Sequence, residues 1–308
     1  MQESAVGLLR PAGSVRQRIP PGLRRTLGDV RWAGLLASRL PTARWRRTPD
    51  FVIIGAQKAG TTSLFQYLGH HPQVRPPIRK EIHYFDLNFH RGSLWYRAHF
   101  PLEKEMGSTL TGEASPYYLY HPQTPARMKE LLPDVKLIVL LRNPVDRTYS
   151  AYQHERRLGR ERLSFIDAIN AEASRVEAEA TLVSGENAHR TKAHTQFSYV
   201  RRSLYAEQLE RWFQHFPREQ FHIIRSEDLF DEPSMVLSEV REFLRLEPWA
   251  PPQYVIYKKG VYPDLDASLI AALAARFRPH NQRLYGLIGR DMGWERGLDS
   301  HSIGTSTR

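Results

Sequence analysis

The 308-residue sequence contains no cysteine, which excludes a disulfide framework and thiolate metal sites and is typical of a reducing compartment. It also contains no run of eighteen apolar residues and no uninterrupted apolar segment of the kind found in secretory signals. Thirteen histidines are present, but none stands in a metal-binding spacing such as H-E-x-x-H. We therefore expect a cytoplasmic protein without a transmembrane helix and without a metal site.

Positive charge is concentrated near the start of the chain. Residues 1–48 hold ten arginines against Glu3 and Asp29, a net +8 of the total +11, so the rest carries only +3. We predict a basic arm over residues 1–48 and one domain over 49–308. Apolar spacing over residues 23–40 permits an amphipathic helix, which could dock on the domain or lie peripherally on an anionic membrane; a disordered arm is the third interpretation.

The stretch FVIIGAQKAGTTS, residues 51–63, predicts a buried strand followed by a phosphate-binding loop. Phe51 to Ile54 are apolar and partly β-branched, as in a buried parallel strand. Gly55 and Gly60 allow a tight turn and close approach to an anion. A helix beginning near Thr61 would point its free N–H groups and the positive end of its dipole at a phosphate. Lys58 adds a full positive charge at the centre of the loop.

This loop differs from that of nucleoside-triphosphate enzymes, in which lysine follows the second glycine. Here Thr61 occupies that position and Lys58 lies inside the loop. The apolar strand at 137–141 runs into Arg142 rather than into a magnesium-binding aspartate. The residues favour a phosphate site without a metal. A P-loop kinase is the enzymatic alternative, and a membrane- or nucleic-acid-binding protein driven by the basic arm is the non-enzymatic one.

Strands and helices alternate along the rest of the chain. Strands are predicted at 109–113, 136–141 and 221–225, and helices at 93–100, 124–132, 203–216, 233–244 and 266–277. This alternation predicts an α/β protein, a three-layer α/β/α P-loop-like fold with a mainly parallel central sheet. Residues 160–200 interrupt the rhythm with a helical stretch over 165–182 and a polar loop. We interpret them as an insertion that forms a lid or a wall for an acceptor.

Four motifs in order resemble the sulfotransferases that use 3′-phosphoadenosine 5′-phosphosulfate (PAPS). They are the loop GAQKAGTT at 55–62, KEIHYFD at 80–86, TGEASPYYL at 111–119 and LIVLLRNPVDRTYSAY at 137–152. The pattern is most similar to carbohydrate sulfotransferases of the heparan-sulfate type and their bacterial relatives, over roughly residues 50–295. The resemblance implies PAPS as cosubstrate and a hydroxyl-bearing acceptor, a carbohydrate or glycolipid, with no nucleic-acid partner.

The resemblance also implies which residues hold PAPS. The loop would contact the 5′-phosphate, with Lys58 at the leaving group, while Arg142 and Ser150 would grip the 3′-phosphate by charge-assisted and hydroxyl contacts. An ion pair of Arg142 with Asp146 is the structural alternative. Asn143 and Pro144 suit the N-cap and first position of the next helix. The complete set of implied PAPS-binding residues is Gln57, Lys58, Ala59, Gly60, Thr61, Thr62, Arg142, Ser150, Tyr205, Lys259 and Gly260.

A base for the acceptor hydroxyl is implied in the KEIHYFD motif, where carbohydrate-acting members carry a catalytic glutamate. Glu81 is the candidate, and His83 is the competitor or its orienting partner. If this segment is extended, both side chains point to one face. The chain departs from the heparan type at Ala114, where those enzymes carry lysine, so a small glycoside or secondary-metabolite hydroxyl fits the sequence as well as an anionic polysaccharide.

Overall fold

The computed structural model describes residues 32–183, 191–257 and 262–295. In these residues, four parallel strands form one sheet in the order β2-β1-β3-β4. The strands are β1 (Phe51–Gly55), β2 (Gly112–Ala114), β3 (Lys136–Leu141) and β4 (Phe221–Arg225). The parallel sheet and its flanking helices confirm the predicted α/β fold.

Continuous apolar runs explain why β1 and β3 occupy the centre of the sheet. Every residue of β1 is buried, as are Leu137 to Leu141 of β3, because helices cover both faces of a parallel sheet. Phe51 pairs with Gly112 on one side and Lys136 on the other. A Cβ atom on Gly112 would lie 2.4 Å from the Phe51 ring, so β2 needs glycine at this position.

Twelve labelled helices surround the sheet in the described residues. They are α1 (Thr61–Gly69), α2 (Ser93–Arg97), α3 (Thr124–Leu131), α4 (Pro144–Arg157), α5 (Phe165–Asn170), α6 (Glu172–Glu177), α7 (Ala180–Val183), α8 (Lys192–Gln196), α9 (Tyr205–Phe213), α10 (Ser226–Asp231), α11 (Pro233–Leu244) and α12 (Ala267–Ile288). Short 3-10 turns occur at Leu40–Trp45, Phe89–Arg91, Glu103–Glu105, Arg201–Ser203 and Arg218–Gln220.

Several sequence-based boundaries differ from those of the structure. The helices predicted at 93–100 and 203–216 are shorter, at Ser93–Arg97 and Tyr205–Phe213. The helical stretch expected over 165–182 is divided into three short helices, α5 to α7. The last helix does not end at 277 but continues through Pro279 to Ile288, because buried Phe277 and Leu284 hold both halves against the protein core.

The described part of the basic arm is attached to the domain. Residues 32–39 are helical, and Leu36 and Ala43 are buried in the main core. The Arg39 guanidinium donates a hydrogen bond of 2.7 Å to the Ala98 carbonyl, and Arg46 donates one of 2.9 Å to the Phe100 carbonyl. Residues 1–31 lie outside the described residues, so the division of the chain at residue 48 stays a prediction.

Candidate active site

A cleft of about 810 Å³ lies at the carboxyl ends of the strands. Residues that follow β1, β2 and β3 meet there, and Ser150, His154 and Glu155 of α4 line one side. Strand β1 has β2 on one side and β3 on the other, and open parallel sheets bind ligands at such a switch point. The volume is in the range of small-molecule and cofactor sites.

The loop between β1 and α1 forms the floor of this cleft. Gln57, Lys58, Gly60, Thr61 and Thr62 all line it. The backbone adopts φ of +74° at Lys58 and +91° at Gly60, which turns the chain sharply before α1 begins. A Cβ atom on Gly60 would also meet the Leu229 side chain at 3.0 Å, so glycine is required for its conformation and for its close packing.

Ala59 differs from the other predicted loop contacts because it does not line the cleft. Its side chain is completely buried, its N–H donates to the Ala56 carbonyl, and its own carbonyl accepts a hydrogen bond of 2.6 Å from the Ser226 hydroxyl. Ala59 therefore fastens the loop to α10 rather than presenting a group to a ligand.

Arg142 and Ser150 reach the same cleft from the end of β3 and from α4. The predicted cap is confirmed, since the Asn143 side chain accepts the Val145 N–H at 2.9 Å with Pro144 at the first helical position. The Arg142 guanidinium donates to the Lys58 carbonyl at 3.2 Å, which joins the two cationic residues. Among the described residues, Arg142 and Asp146 form no ion pair within 4.0 Å, although the charge of Arg142 opposes the burial that raises the pKa of Asp146.

Tyr205 is placed behind Arg142 rather than in the cleft. Its ring is buried, and its hydroxyl donates to the Arg142 carbonyl at 2.9 Å. Tyr205 thus supports the backbone at the end of β3. Lys259 and Gly260 lie outside the described residues; Tyr257 and Tyr262, on either side of residues 258–261, both line the cleft.

Residues 81–86 carry the candidate base and are not extended. Glu81 and His83 have φ of +60° and +54°, a left-handed conformation that costs on the order of 1–3 kcal/mol at each non-glycine residue. The condition under which both side chains would share one face of an extended segment is therefore not met. Both side chains nevertheless line the cleft, and the Glu81 N–H donates to the Ala114 carbonyl of β2 at 3.1 Å.

Glu81 lies beside a positively charged side chain, and His83 lies beside a negatively charged one. Lys80 Nζ lies 2.7 Å from Glu81 Oε1, which favours the ionised carboxylate. His83 Nδ1 lies 2.8 Å from Asp86 Oδ2. Burial acts to lower the pKa of His83, but Asp86, Glu81 and Glu113 together outweigh it and raise this pKa above its ordinary value. Because a base must be unprotonated, the raised pKa makes His83 the poorer candidate near neutral pH.

Sequence reasoning missed Arg202, which lies beside the phosphate loop. Its guanidinium donates to Gln57 Oε1 at 2.6 Å and to the Thr195 carbonyl at 2.6 Å, and it lies 4.7 Å from the centre of the Tyr117 ring. These contacts tie the predicted insertion to the loop after β1. No spacing in the sequence separates buried Arg202 from exposed Arg201, because the contacts with Gln57 and Tyr117 come from segments far apart in the chain.

Glu113 was also missed and is completely buried at the centre of β2. Three hydroxyls, those of Tyr96, Ser115 and Tyr118, donate to its carboxylate at 2.7, 2.9 and 3.1 Å. Burial raises the pKa of Glu113 to about 7, although the three hydroxyls act in the opposite direction. The predicted strand at 109–113 placed Glu113 at a strand end, whereas the structure places it between Gly112 and Ala114.

Two further findings concern metals and membranes. In the part of the chain that the structure describes, no group of three or more histidine, aspartate or glutamate residues is arranged to hold a metal ion. None of the described helices combines the length and the apolar character that crossing a membrane requires.

Comparison with known proteins matches this chain to one family. The family model described as the sulfotransferase domain matches residues 48–250. Heparan sulfate glucosamine 3-O-sulfotransferase 5 of Mus musculus is 31% identical, over 81% of this chain and 75% of its own length. Membrane-associated sulfotransferase kil1 of Dictyostelium discoideum is 29% identical over 80% of this chain, and the match spans 66% of that protein.

A solved structure agrees with both the fold and the family. The crystal structure of a sulfotransferase from Alicyclobacillus acidocaldarius is 32% identical, with a TM-score of 0.67, over 81% of this chain and all of that chain. The four strands and the loop after β1 lie within residues 48–250, the region that the family model matches. The chain therefore belongs to the PAPS-dependent sulfotransferase family and is a sulfotransferase.

Proposed function

We propose that this protein transfers the sulfuryl group of PAPS to an acceptor hydroxyl, with Glu81 as general base. The observation that carries the proposal is the convergence of Lys58, Arg142 and Glu81 on one cleft at the switch point of the sheet. Lys58 and Arg142 match a donor with two phosphate positions, and the Glu81 carboxylate matches an acceptor that must lose a proton.

The donor fits the residues present at the floor of the cleft. PAPS supplies an activated sulfuryl group on a nucleotide that carries a phosphate at each of two positions. The start of α1, with Thr61 and Thr62, suits the 5′-phosphate, and Lys58 would stabilise negative charge there. Arg142 and Ser150 suit the 3′-phosphate. The contact of Arg142 with the Lys58 carbonyl supports this arrangement because it sets the distance between the two cationic residues.

Glu81 is positioned to accept the proton of the acceptor hydroxyl. Its carboxylate lines the cleft, and Lys80 favours its ionised form. His83, held by Asp86, would orient the acceptor or the transferring group as a cation. This assignment uses His83 as a hydrogen-bond donor, in agreement with its raised pKa.

The acceptor is proposed to be a hydroxyl of a carbohydrate or glycolipid. The names of the 3-O-sulfotransferase relatives support a carbohydrate. The lining of the cleft also includes the apolar residues Leu87, Pro116, Tyr117 and Leu158, and Ala114 is fully buried in β2. Charged and polar residues line the cleft as well, so a small glycoside with an apolar part fits this lining as well as a polyanion does.

Binding measurements test the proposed donor. Isothermal titration should show that adenosine 3′,5′-bisphosphate binds roughly a hundredfold more tightly than AMP, since charged hydrogen bonds contribute about 1.5–3 kcal/mol each. ATP should bind as weakly as AMP, and the bisphosphate affinity should be the same in EDTA and in magnesium. Equal affinity for AMP and the bisphosphate would contradict the proposed donor, and a requirement for magnesium would favour the kinase alternative.

We also propose that the enzyme is cytoplasmic and that residues 1–48 act as a basic arm that brings it to anionic membrane surfaces, chiefly through residues 1–31, because Arg39 and Arg46 bond to carbonyls of the domain. The net +8 of residues 1–48 supports the proposal, as does the name of the membrane-associated relative. Residues 49–308 would form the sulfotransferase domain, in which residues 160–200 form an acceptor wall. Thr195 and Gln196 support that role because both line the cleft.

Charge removal in the arm tests the membrane proposal. Replacing the six arginines of residues 1–31 by glutamine should lower binding to phosphatidylserine-containing vesicles by more than tenfold, because each arginine near an anionic surface contributes about 1 kcal/mol. Turnover of a soluble acceptor should be unchanged. Replacing six exposed arginines of α4, α12 and their flanking loops outside the cleft is the matched control. Equal loss of vesicle binding in both variants would contradict a specific role for the arm.

A further inference from the structure

The backbone of residues 81–84 is held by a buried network that centres on Glu113. The His83 N–H donates to the Ser115 hydroxyl oxygen at 3.2 Å, and that hydroxyl donates to Glu113 Oε2 at 2.9 Å. The Tyr84 N–H donates to the Tyr118 hydroxyl oxygen at 2.8 Å, and that hydroxyl donates to Glu113 Oε1 at 3.1 Å. Two successive amides are thus each connected to one carboxylate through one hydroxyl.

Residues 81–84 have a backbone conformation that needs support from the surrounding residues. Glu81 and His83 both adopt left-handed backbone conformations, which persist in non-glycine residues only where the surroundings fix them. An anchor at His83 and Tyr84 therefore fixes the direction in which the Glu81 and His83 side chains leave the backbone. The Glu81 N–H also donates to the carbonyl of Ala114, the residue that follows Glu113 in β2.

At the position of Glu113, an apolar side chain could be buried at a lower cost in free energy. The carboxylate is completely buried within β2, and ion burial without a cationic partner is unfavourable. Groups in such surroundings are concentrated at functional sites. Its three hydroxyl donors compensate for the burial, and two of those three also accept an amide of the strained segment.

We propose that Glu113 is a positioning residue, which acts through Ser115 and Tyr118 to hold the backbone of His83 and Tyr84 and thereby to aim Glu81 into the cleft. The proposal rests on the proposed function in so far as Glu81 is the base. Glu113 itself does not line the cleft and touches no reactant.

Tyr96 offers a matched control for this network. Its hydroxyl donates to Glu113 Oε1 at 2.7 Å, but no amide of residues 81–84 donates to that hydroxyl. Its ring stacks on Tyr84 at 4.6 Å, a contact that phenylalanine would keep. Tyr96→Phe and Tyr118→Phe therefore remove the same atom from the same carboxylate, and only the second disconnects the segment.

Hydrogen–deuterium exchange resolved to single amides tests the connection without any substrate. Ser115→Ala should accelerate exchange at His83 by at least tenfold and leave Tyr84 unchanged. Tyr118→Phe should do the reverse, Glu113→Ala should accelerate both, and Tyr96→Phe neither. If Glu113→Ala does not fold, Ser115→Ala and Tyr118→Phe still test the proposal, because each removes one of the two connections. If the exchange rates at His83 and Tyr84 in every folded variant equal those in the unsubstituted protein, the proposal is overturned.

Steady-state kinetics then test the effect on function. Ser115→Ala and Tyr118→Phe should each lower kcat roughly tenfold with the KM for PAPS unchanged, since misplacement of a reacting group by an ångström costs up to about a hundredfold. Tyr96→Phe should keep kcat within twofold. Equal kcat in Tyr118→Phe and Tyr96→Phe, beside an inactive Glu81→Gln, would overturn the positioning role. Full activity of Glu81→Gln would instead overturn the proposed base, while the exchange pattern would still test the network.

Discussion

Replacing Glu81 by glutamine is expected to lower kcat by roughly 10²–10⁴ while the affinity for adenosine 3′,5′-bisphosphate stays the same. Glutamine keeps the shape of the side chain and one hydrogen-bond acceptor, but it cannot accept a proton. General-base catalysis contributes a factor of this size. Lys58, Arg142 and Ser150, the residues proposed to bind PAPS, lie on other elements of the cleft, so the substitution leaves the floor intact. Single-turnover rates with saturating PAPS, together with titration of the bisphosphate, measure the two quantities separately.

His83→Asn is the paired variant for this prediction. Asparagine can keep a hydrogen bond to Asp86, but it cannot carry the positive charge that the carboxylates around His83 favour. We expect kcat to fall less than in Glu81→Gln. Near-normal turnover by Glu81→Gln beside an inactive His83→Asn would move the role of base to the histidine. A pH profile distinguishes the roles further, since a cationic His83 that donates a hydrogen bond loses its function as the pH rises through its raised pKa.

The sheet and the phosphate loop could be predicted because their signals are local. Strands β1, β3 and β4 are short apolar runs bounded by charged or turn residues, and β3 and β4 have the predicted bounds. The start of α4 follows from Asn143 and Pro144 alone. Strand β2 begins later than predicted, because the Thr111 N–H bonds the Asp50 carboxylate at 2.8 Å instead of joining the ladder.

The conformation of the candidate base could not be predicted from the same kind of signal. Glu81 and His83 adopt left-handed backbone conformations that glutamate and histidine disfavour in isolation. The His83 and Tyr84 amides bond to Ser115 and Tyr118, more than thirty residues further along the chain. Sequence therefore indicated that Glu81 and His83 reach the cleft, while the way in which they are held depends on a network that forms only when β2 packs against residues 81–84.

Arg202 illustrates the same limit at the other side of the cleft. Its partners are Gln57 of the phosphate loop, two carbonyls of the insertion, at His194 and Thr195, and the ring of Tyr117. A positive charge that stacks on an aromatic ring and bonds carbonyls acts as a brace between segments. The insertion is thus connected to the donor floor, which gives a physical route by which acceptor contacts could affect donor binding.

Replacing Arg142 by alanine is expected to abolish most of the preference for a 3′-phosphate. The affinity for adenosine 3′,5′-bisphosphate should fall roughly a hundredfold, since truncating one partner of a buried charged hydrogen bond costs about 2–5 kcal/mol. The affinity for AMP should change by less than threefold, because AMP has no 3′-phosphate for Arg142 to contact. Arg142 also donates to the Lys58 carbonyl, so AMP binding reports within the same variant whether the loop keeps its shape.

Arg162→Ala supplies the control for net charge. Arg162 is exposed and does not line the cleft, so its removal changes the total charge by the same amount without touching the floor. Isothermal titration of both nucleotides at two salt concentrations compares the variants. Arg142→Lys should recover only part of the lost affinity, since a lysine ammonium cannot make the paired contacts of a guanidinium. If Arg142→Ala weakens AMP and the bisphosphate equally, Arg142 supports the loop and does not read the 3′-phosphate; the second phosphate would then need another cation in the cleft.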